Sequence, residues 1–195
     1  MKIAVIGKGG SGKTTLSGII ARSLARSGRQ VIALDCDVNP NLGISCGVSP
    51  EQLLGQLESD ERIVIADLEA GAGTLTRMPS GALDVAVLMV EPSAKSIDAA
   101  RRAALIIAER HIGMVLLAAN RLRSEDDLQL IRASIPGVET LAVPDDPSIA
   151  QADREAKSPL DLAPDSAGVG AMRAVAQRLE RWARQSSPTG SLTLL

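Results

Sequence analysis

Eight residues near the start of the chain, Gly7-Lys8-Gly9-Gly10-Ser11-Gly12-Lys13-Thr14, constrain its folding more than any other stretch. They follow directly on an apolar run, KIAVIG over residues 2–7, and open onto a helical pattern from Lys13 to Arg26. A G-x-x-x-x-G-K-T string between a strand and a helix reads as a phosphate-binding loop. Its glycines let backbone N–H groups turn inward around phosphate oxygens. The helix N-terminus adds its positive dipole end. Gly9, Gly10, Ser11, Gly12 and Thr15 complete the expected cradle. Lys13 is expected to reach the β- and γ-phosphates, and the Thr14 hydroxyl to ligate Mg²⁺. Lys8 is a second lysine that such a loop does not need. It is expected to lie near the phosphates but point away from Lys13, free to act on a neighbouring subunit.

The same strand-then-helix pattern continues along the chain. Five further apolar runs, QVIALD, RIVIAD, DVAVLMVE, GMVLLAAN and ETLAVP, are short, unbroken and rich in Val, Ile and Leu. Such runs suit strands buried on both faces of a parallel sheet. Helical stretches are expected at Lys13 to Arg26, Ser96 to Arg110, Glu125 to Ala133, and from about Gly170 to Arg184. Ser124 reads as an N-cap, with Asp126 and Asp127 in the first turn favouring the dipole. The alternation predicts an α/β fold with right-handed crossovers and helices on both faces. Residues 1–185 are expected to form one domain, followed by a flexible tail over 186–195 that is rich in Ser, Thr, Gly and Pro.

Composition narrows the functions. Trp182 is the single aromatic residue; there is no Phe and no Tyr. The core must therefore be built from Leu, Ile, Val and Ala, and nucleic-acid modules that stack bases on rings are disfavoured. A net charge of −2 supplies no global field for DNA or acidic lipid. Two cysteines, Cys36 and Cys46, do not make a disulfide scaffold, and outside a C-x-C or C-x-x-C pair they read as small buried hydrophobes. His111 reads as a dipole partner at a helix end. No run is long enough for a signal peptide or a membrane span, so a cytoplasmic location is expected.

In an open parallel sheet, ligands sit beyond the carboxyl ends of the strands, so the polar residues that end strands are the candidates for chemistry. Asp35 ends the second run and Asp37 follows it; either carboxylate could hold a Mg²⁺-bound water or orient one for in-line attack. Asp67 ends the third run and would hold Mg²⁺ through water. Gly71 could offer its N–H to the γ-phosphate and so distinguish ATP from ADP. Asn120 ends the fifth run, where its amide can pair with a donor and an acceptor on a purine edge. The loop Val143-Pro144-Asp145-Asp146 would close over the base.

At these residues the chain resembles a known group. G-K-G-G-x-G-K-T-T is similar to the deviant Walker A motif of the MinD/ParA/nitrogenase-iron-protein ATPases, whose lysine at the Lys8 position crosses a dimer interface to the partner's nucleotide. Asp35-Cys36-Asp37 with Asn39-Pro40-Asn41-Leu42 resembles that group's switch I, and Ile65-Ala66-Asp67-Leu68-Glu69-Ala70-Gly71 its Walker B strand and switch II. Within the group the chain resembles CooC-type carbon monoxide dehydrogenase accessory ATPases, through D-x-D-x-N-x-N-L, D-L-E-A-G, Val90-Glu91-Pro92-Ser93-x-Lys95-Ser96 and Ser158-Pro159-Leu160-Asp161. The resemblance implies a three-layer P-loop NTPase sandwich with six mostly parallel strands in the order 2-3-1-4-5-6. It assigns water positioning to Asp37 and adenine contact to Asn120. GTP-specific relatives carry N-K-x-D where this chain has Asn120-Arg121-Leu122-Arg123, which points to adenine. CooC-type proteins carry a C-x-C metal motif before switch II; the corresponding stretch here, Ile44 to Arg62, holds only Cys46.

The resemblance therefore implies Mg²⁺-dependent ATP hydrolysis by Lys8, Lys13 and Asp37, with Thr14, Asp37 and Asp67 around the metal. It implies an ATP-driven homodimer that acts on a client protein as a metalloenzyme maturation factor. The alternative is a ParA/MinD-type positioning ATPase acting on DNA or membrane; a small-molecule kinase or ligase stands third. Neither sequence-specific nucleic acid nor a membrane is an expected partner. The last helix sets Arg173, Arg178, Arg181 and Arg184 against Val169, Met172, Val175, Leu179 and Trp182. That pattern fits packing on the sheet better than a membrane surface.

Overall fold

The computed structural model describes residues 1–36, 62–68, 75 and 81–186. Asp37, Cys46, Gly71 and the expected tail beyond Ser186 lie outside the described residues.

Six strands form one sheet: β1 (Lys2–Gly7), β2 (Val31–Cys36), β3 (Ile63–Leu68), β4 (Val85–Val90), β5 (Met114–Leu122) and β6 (Glu139–Pro144). Their order is β2-β3-β1-β4-β5-β6, and every neighbouring pair is parallel. All six apolar runs became strands, and the order matches the one expected. The unbroken apolar runs have a simple cause: both faces of the sheet are covered. Ile3 and Val5 of β1, and Val85, Val87 and Met89 of β4, point into one core. Ala4, Ile6, Ala86, Leu88 and Val90 point into the other.

Helices α1 (Lys13–Arg26) and α6 (Ala167–Ser186) close the first core, through Leu16, Ile19, Ile20, Leu24, Val169, Met172, Val175 and Leu179. Helices α2 (Ala94–Ala108) and α3 (Glu125–Ser134) close the second, through Ile97, Ala100, Ile107, Leu128 and Ile131. The Ser124 side chain caps α3 by accepting from the N–H of Asp127, as its position predicts. Helix α6 packs with its apolar face in the core, while Arg178 pairs with Glu139 and Arg184 with Glu180. The expected packing of the last helix therefore holds. It starts three residues earlier than the periodicity suggested, because Gly168 is drawn against Asp146.

Two short helices, α4 (Pro147–Arg154) and α5 (Pro159–Leu162), escaped the sequence reading. Each begins with proline at its start, after Asp146 in α4 and Ser158 in α5, so Asp-Pro and Ser-Pro were the available signals. Cys36 corrects another expectation: it is exposed, at the carboxyl end of an edge strand. Burial, then the Asp35 and Asp67 carboxylates, raise its thiol pKa. His111 sits beyond the α2 C-cap, Glu109, in a left-handed turn with φ 55°.

Trp182 lies against Gly113, whose Cβ would stand 3.0 Å from the indole. Gly113 immediately precedes β5, so the single aromatic ring sits at the amino end of the sheet. The phosphate-binding loop occupies the opposite, carboxyl end.

Candidate functional site

Strand β1 delivers the loop to the carboxyl edge of the sheet, and sterics leave no choice at its first residue. Gly7 lies beside Met89 of β4; a Cβ there would be 2.5 Å from the Met89 carbonyl oxygen. Gly10 and Gly12 have φ of 77° and 96°, in the left-handed region that favours glycine. Gly12 is the N-cap of α1 and supplies no side-chain cap, so no capping side chain occupies the start of the helix. Lys13 is 7% exposed, and its ammonium lies 3.4 Å from the Lys8 carbonyl oxygen. The same carbonyl accepts from the N–H of Ser11, 3.1 Å away. The Ser11 hydroxyl is buried without a hydrogen-bond partner among the described residues, an orphan inside the loop.

Next to the loop, Thr14 donates its hydroxyl hydrogen to Asp67 Oδ2 at 2.6 Å. Asp67 is 1% exposed at the end of β3, and its register partner on β2 is Asp35. The sheet thus brings two strand-ending carboxylates and the α1 hydroxyl to one edge. A hydroxyl in contact with a carboxylate is a hard oxygen donor pair, so these residues fit Mg²⁺. An open helix N-terminus with an adjacent buried lysine fits a phosphate chain.

At the middle of the loop, Asn120 of β5 is buried and donates Nδ2–H to the Ser11 carbonyl at 2.8 Å. A carbonyl facing it fixes the amide orientation, because only the NH₂ side can donate. A Cβ on Gly12 would lie 2.8 Å from the same nitrogen. One N–H of Asn120 therefore holds the loop, a role that sequence position alone did not suggest. Immediately after it β5 breaks register. Ala119 pairs with Ala142 but Leu122 with Pro144, so Asn120 and Arg121 stand opposite Val143 alone. This is a β-bulge, and Arg121 takes φ 56° within it. Arg121 pairs with Glu91, which follows β4, at 2.5 Å.

Asp145 is tied back to the last residue of β5 by its N–H to the Leu122 carbonyl (2.9 Å), and to the residue after the strand by its carboxylate, which accepts from Arg123 Nε (3.0 Å). Asp146 accepts from Ser148 and, across to α6, from the N–H of Gly168 at 2.8 Å. Burial pushes its carboxyl upward, but hydrogen bonds from Ser148, Ser166 and Gly168 outweigh it and hold the pKa at about 2.

These elements enclose a cleft of about 500 Å³, within the range of small-molecule sites. Gly9, Gly10, Gly12, Lys13, Thr14 and Thr15 line one end. Asn120, Pro144, Asp145 and Asp146 line the other, so the structure brings together ten of the residues expected from sequence. It adds Arg121, Asp153, Ile149, Ala150 and Met172. Ile149, Ala150 and Asp153 belong to α4 and Met172 to α6, so recognising α4 would have found three of them. Asp67 stands behind this cleft, in contact with Thr14. Among the described residues no cluster of three His, Cys, Asp or Glu side chains could hold a metal ion.

Comparison with known proteins agrees with this geometry. Residues 2–160 match the family described as the CobQ/CobB/MinD/ParA nucleotide binding domain. A stretch of 76 residues, 39% of the chain, is 42% identical to the carbon monoxide dehydrogenase accessory protein CooC of Rhodospirillum rubrum, covering 29% of that protein. A stretch of 109 residues is 35% identical to a ParA protein of Rhizobium radiobacter, covering 47% of this chain and 48% of that one. The chain thus spans less than half the length of these two relatives. Among solved structures, the fold is similar to the septum site-determining protein MinD of Pyrococcus horikoshii complexed with Mg-ADP. The TM-score is 0.76 and the identity 21%, over 96% of this chain and 100% of that one.

Proposed function

The chain belongs to the CobQ/CobB/MinD/ParA nucleotide-binding domain family, and from that premise we propose that it is a Mg²⁺-dependent ATPase that closes into a homodimer on binding ATP. The observation that carries the reading is the hydrogen bond from Thr14, which lines the cleft beside Lys13, to the buried Asp67 behind it. The loop N–H groups and Lys13 bind the triphosphate. Thr14 and Asp67 would hold the metal, and Asp37 would complete that set. Bound Mg²⁺ supplies charge neutralisation on the phosphate oxygens. Asp37 orients a water for in-line attack on the γ-phosphorus; the bond to the bridging oxygen breaks, and ADP and phosphate leave. Gly71 senses the γ-phosphate. Asn120, Pro144 and Asp145 receive adenine, and the Arg123 position lacks the carboxylate that reads guanine. Lys8 reaches the partner subunit's nucleotide, so closure of the dimer completes the site.

The cycle of dimer formation and release would act on a client protein. Likeness to a carbon monoxide dehydrogenase accessory protein supports a client metalloenzyme and a maturation role. The positioning alternative has less support. The net charge is −2, and the apolar face of α6 is spent on the core rather than left for a membrane. Among the described residues no helix is long and apolar enough to cross a membrane.

Phosphate release and light scattering on the same sample test the proposal. Expected are Mg²⁺-dependent turnover of ATP, little of GTP, and a mass doubling with ATP. Turnover by a species that stays monomeric would leave an ordinary P-loop enzyme, and the kinase reading would move ahead.

A further inference from the structure

Arg121 occupies a left-handed backbone in the wall of the cleft. We propose that its guanidinium, held by Glu91, is the flat platform on which the purine base lies; the inference rests on the ATP-binding reading above.

A purine binds best against a planar partner, and proteins usually supply an aromatic ring. This chain has no Phe and no Tyr. Its one Trp is packed against Gly113 at the other end of the sheet. The apolar side chains at the base end of the cleft, Pro144, Ile149 and Met172, include no aromatic ring. The chain's one His, His111, lies between α2 and β5 and does not line the cleft, so arginine is the remaining side chain there with an extended planar face, and guanidinium stacks on aromatic rings as an ammonium cannot. Arg121 lines the cleft.

Three features make Arg121 a positioned group rather than a wandering surface arginine. The β-bulge adds a residue between Ala119 and Leu122, setting Asn120 under the loop and Arg121 next to it. Arg121 accepts φ 56°, a conformation that costs energy for any residue with a Cβ. Its head is pinned by Glu91, whose side chain is only 14% exposed, while 55% of the Arg121 side chain stays open. The same pairing argues against a phosphate contact, because Glu91 already offsets the charge and Lys13 serves the phosphate end.

Calorimetric titration of the full chain with ATP, ADP and inorganic tripolyphosphate, all with Mg²⁺, separates base from phosphate. Arg121→Ala is expected to weaken ATP and ADP equally, by about tenfold or more, and to leave tripolyphosphate unchanged. Arg121→Lys, which keeps the charge and loses the plane, is expected to lose nearly as much. Arg121→His, a planar ring on a residue that tolerates left-handed backbone, is expected to retain more affinity than Arg121→Lys. Glu91→Gln leaves the bulge intact and loosens the pin, so about a threefold loss is expected. If tripolyphosphate weakens together with ATP in Arg121→Ala and Arg121→Lys restores both, Arg121 is a phosphate ligand and the proposal is overturned. Wild type that binds ATP beside an Arg121→Ala variant of equal affinity overturns this inference alone. Wild type that binds no ATP overturns the ATPase reading and this inference with it.

Discussion

Asn120 at the end of β5 donates an amide N–H to the carbonyl of Ser11, 2.8 Å away and 109 residues earlier in the chain. The bond joins the fifth strand to the middle of the phosphate-binding loop, and the same amide nitrogen fills the space that a side chain on Gly12 would need. A residue expected to read the base therefore also sets the shape of the phosphate cradle. The base end and the phosphate end of the cleft are coupled through one side chain.

Asn120→Ala is accordingly expected to leave the Ser11 carbonyl without its partner. The cost is about 1–3 kcal/mol of stability, the usual penalty for a buried polar group left unsatisfied. Thermal unfolding measures that loss. Binding of tripolyphosphate should weaken along with ATP, because the loop itself is disturbed. A variant that loses ATP alone would show Asn120 to be a base contact without a role in the loop.

The Thr14–Asp67 contact predicts a metal phenotype. Thr14→Ala removes the hydroxyl that meets the carboxylate, and Asp67→Asn removes the charge behind it. Asp67→Asn is expected to weaken Mg²⁺ about 10- to 100-fold. Thr14→Ser, which keeps the hydroxyl, should stay near wild type. The readout is the Mg²⁺ concentration needed for half-maximal ATP binding. An unchanged midpoint in Asp67→Asn would remove Asp67 from the metal set.

Lys8 and Asp37 separate dimerisation from hydrolysis. Asp37→Ala should bind Mg-ATP, because Thr14 and Asp67 remain, but lose on the order of a hundredfold or more in turnover. It should accumulate as an ATP-bound dimer. Lys8→Ala should bind ATP and remain monomeric. Light scattering after gel filtration, with and without ATP, distinguishes the two; a Lys8→Ala dimer with normal turnover would rule out exchange across the interface.

Asp146 gives the fold an acid-sensitive joint. Its pKa of about 2 lies below the roughly 3.9 of an unfolded aspartate, so the native state favours its ionised form. That stabilisation is complete above about pH 4 and is lost as pH falls through about 2. Protonation weakens the cap of α4 and the tie to Gly168 of α6 together. Asp146→Ala should cost about 1 kcal/mol near neutral pH, as loss of an N-cap does. Acid unfolding of that variant should be less steep between pH 4 and 2 than in the wild type, followed by circular dichroism.

Local pattern was enough for much of this protein. The apolar runs declared six strands because a sheet covered on both faces demands apolar side chains at successive positions. Ser124 declared its helix start, and Gly7 to Thr14 declared the phosphate loop, because capping and tight turns are settled by residues a few positions apart. Contacts between distant segments were beyond such patterns. Nothing near Asn120 in sequence says that its amide meets Ser11, nor that β5 gains a residue at Arg121. Register is a property of two strands, and the bulge lies in the pairing of β5 with β6. Asp146 reads locally as a cap, but its second partner, Gly168, lies 22 residues on and is brought there by α6 packing on the sheet. Met172 carried the signature of a core residue and is one, yet the same packing also sets it in the wall of the cleft. Short-range sterics and hydrogen bonding thus chose the elements and the loop, while long-range packing chose which side chains meet at the carboxyl edge of the sheet.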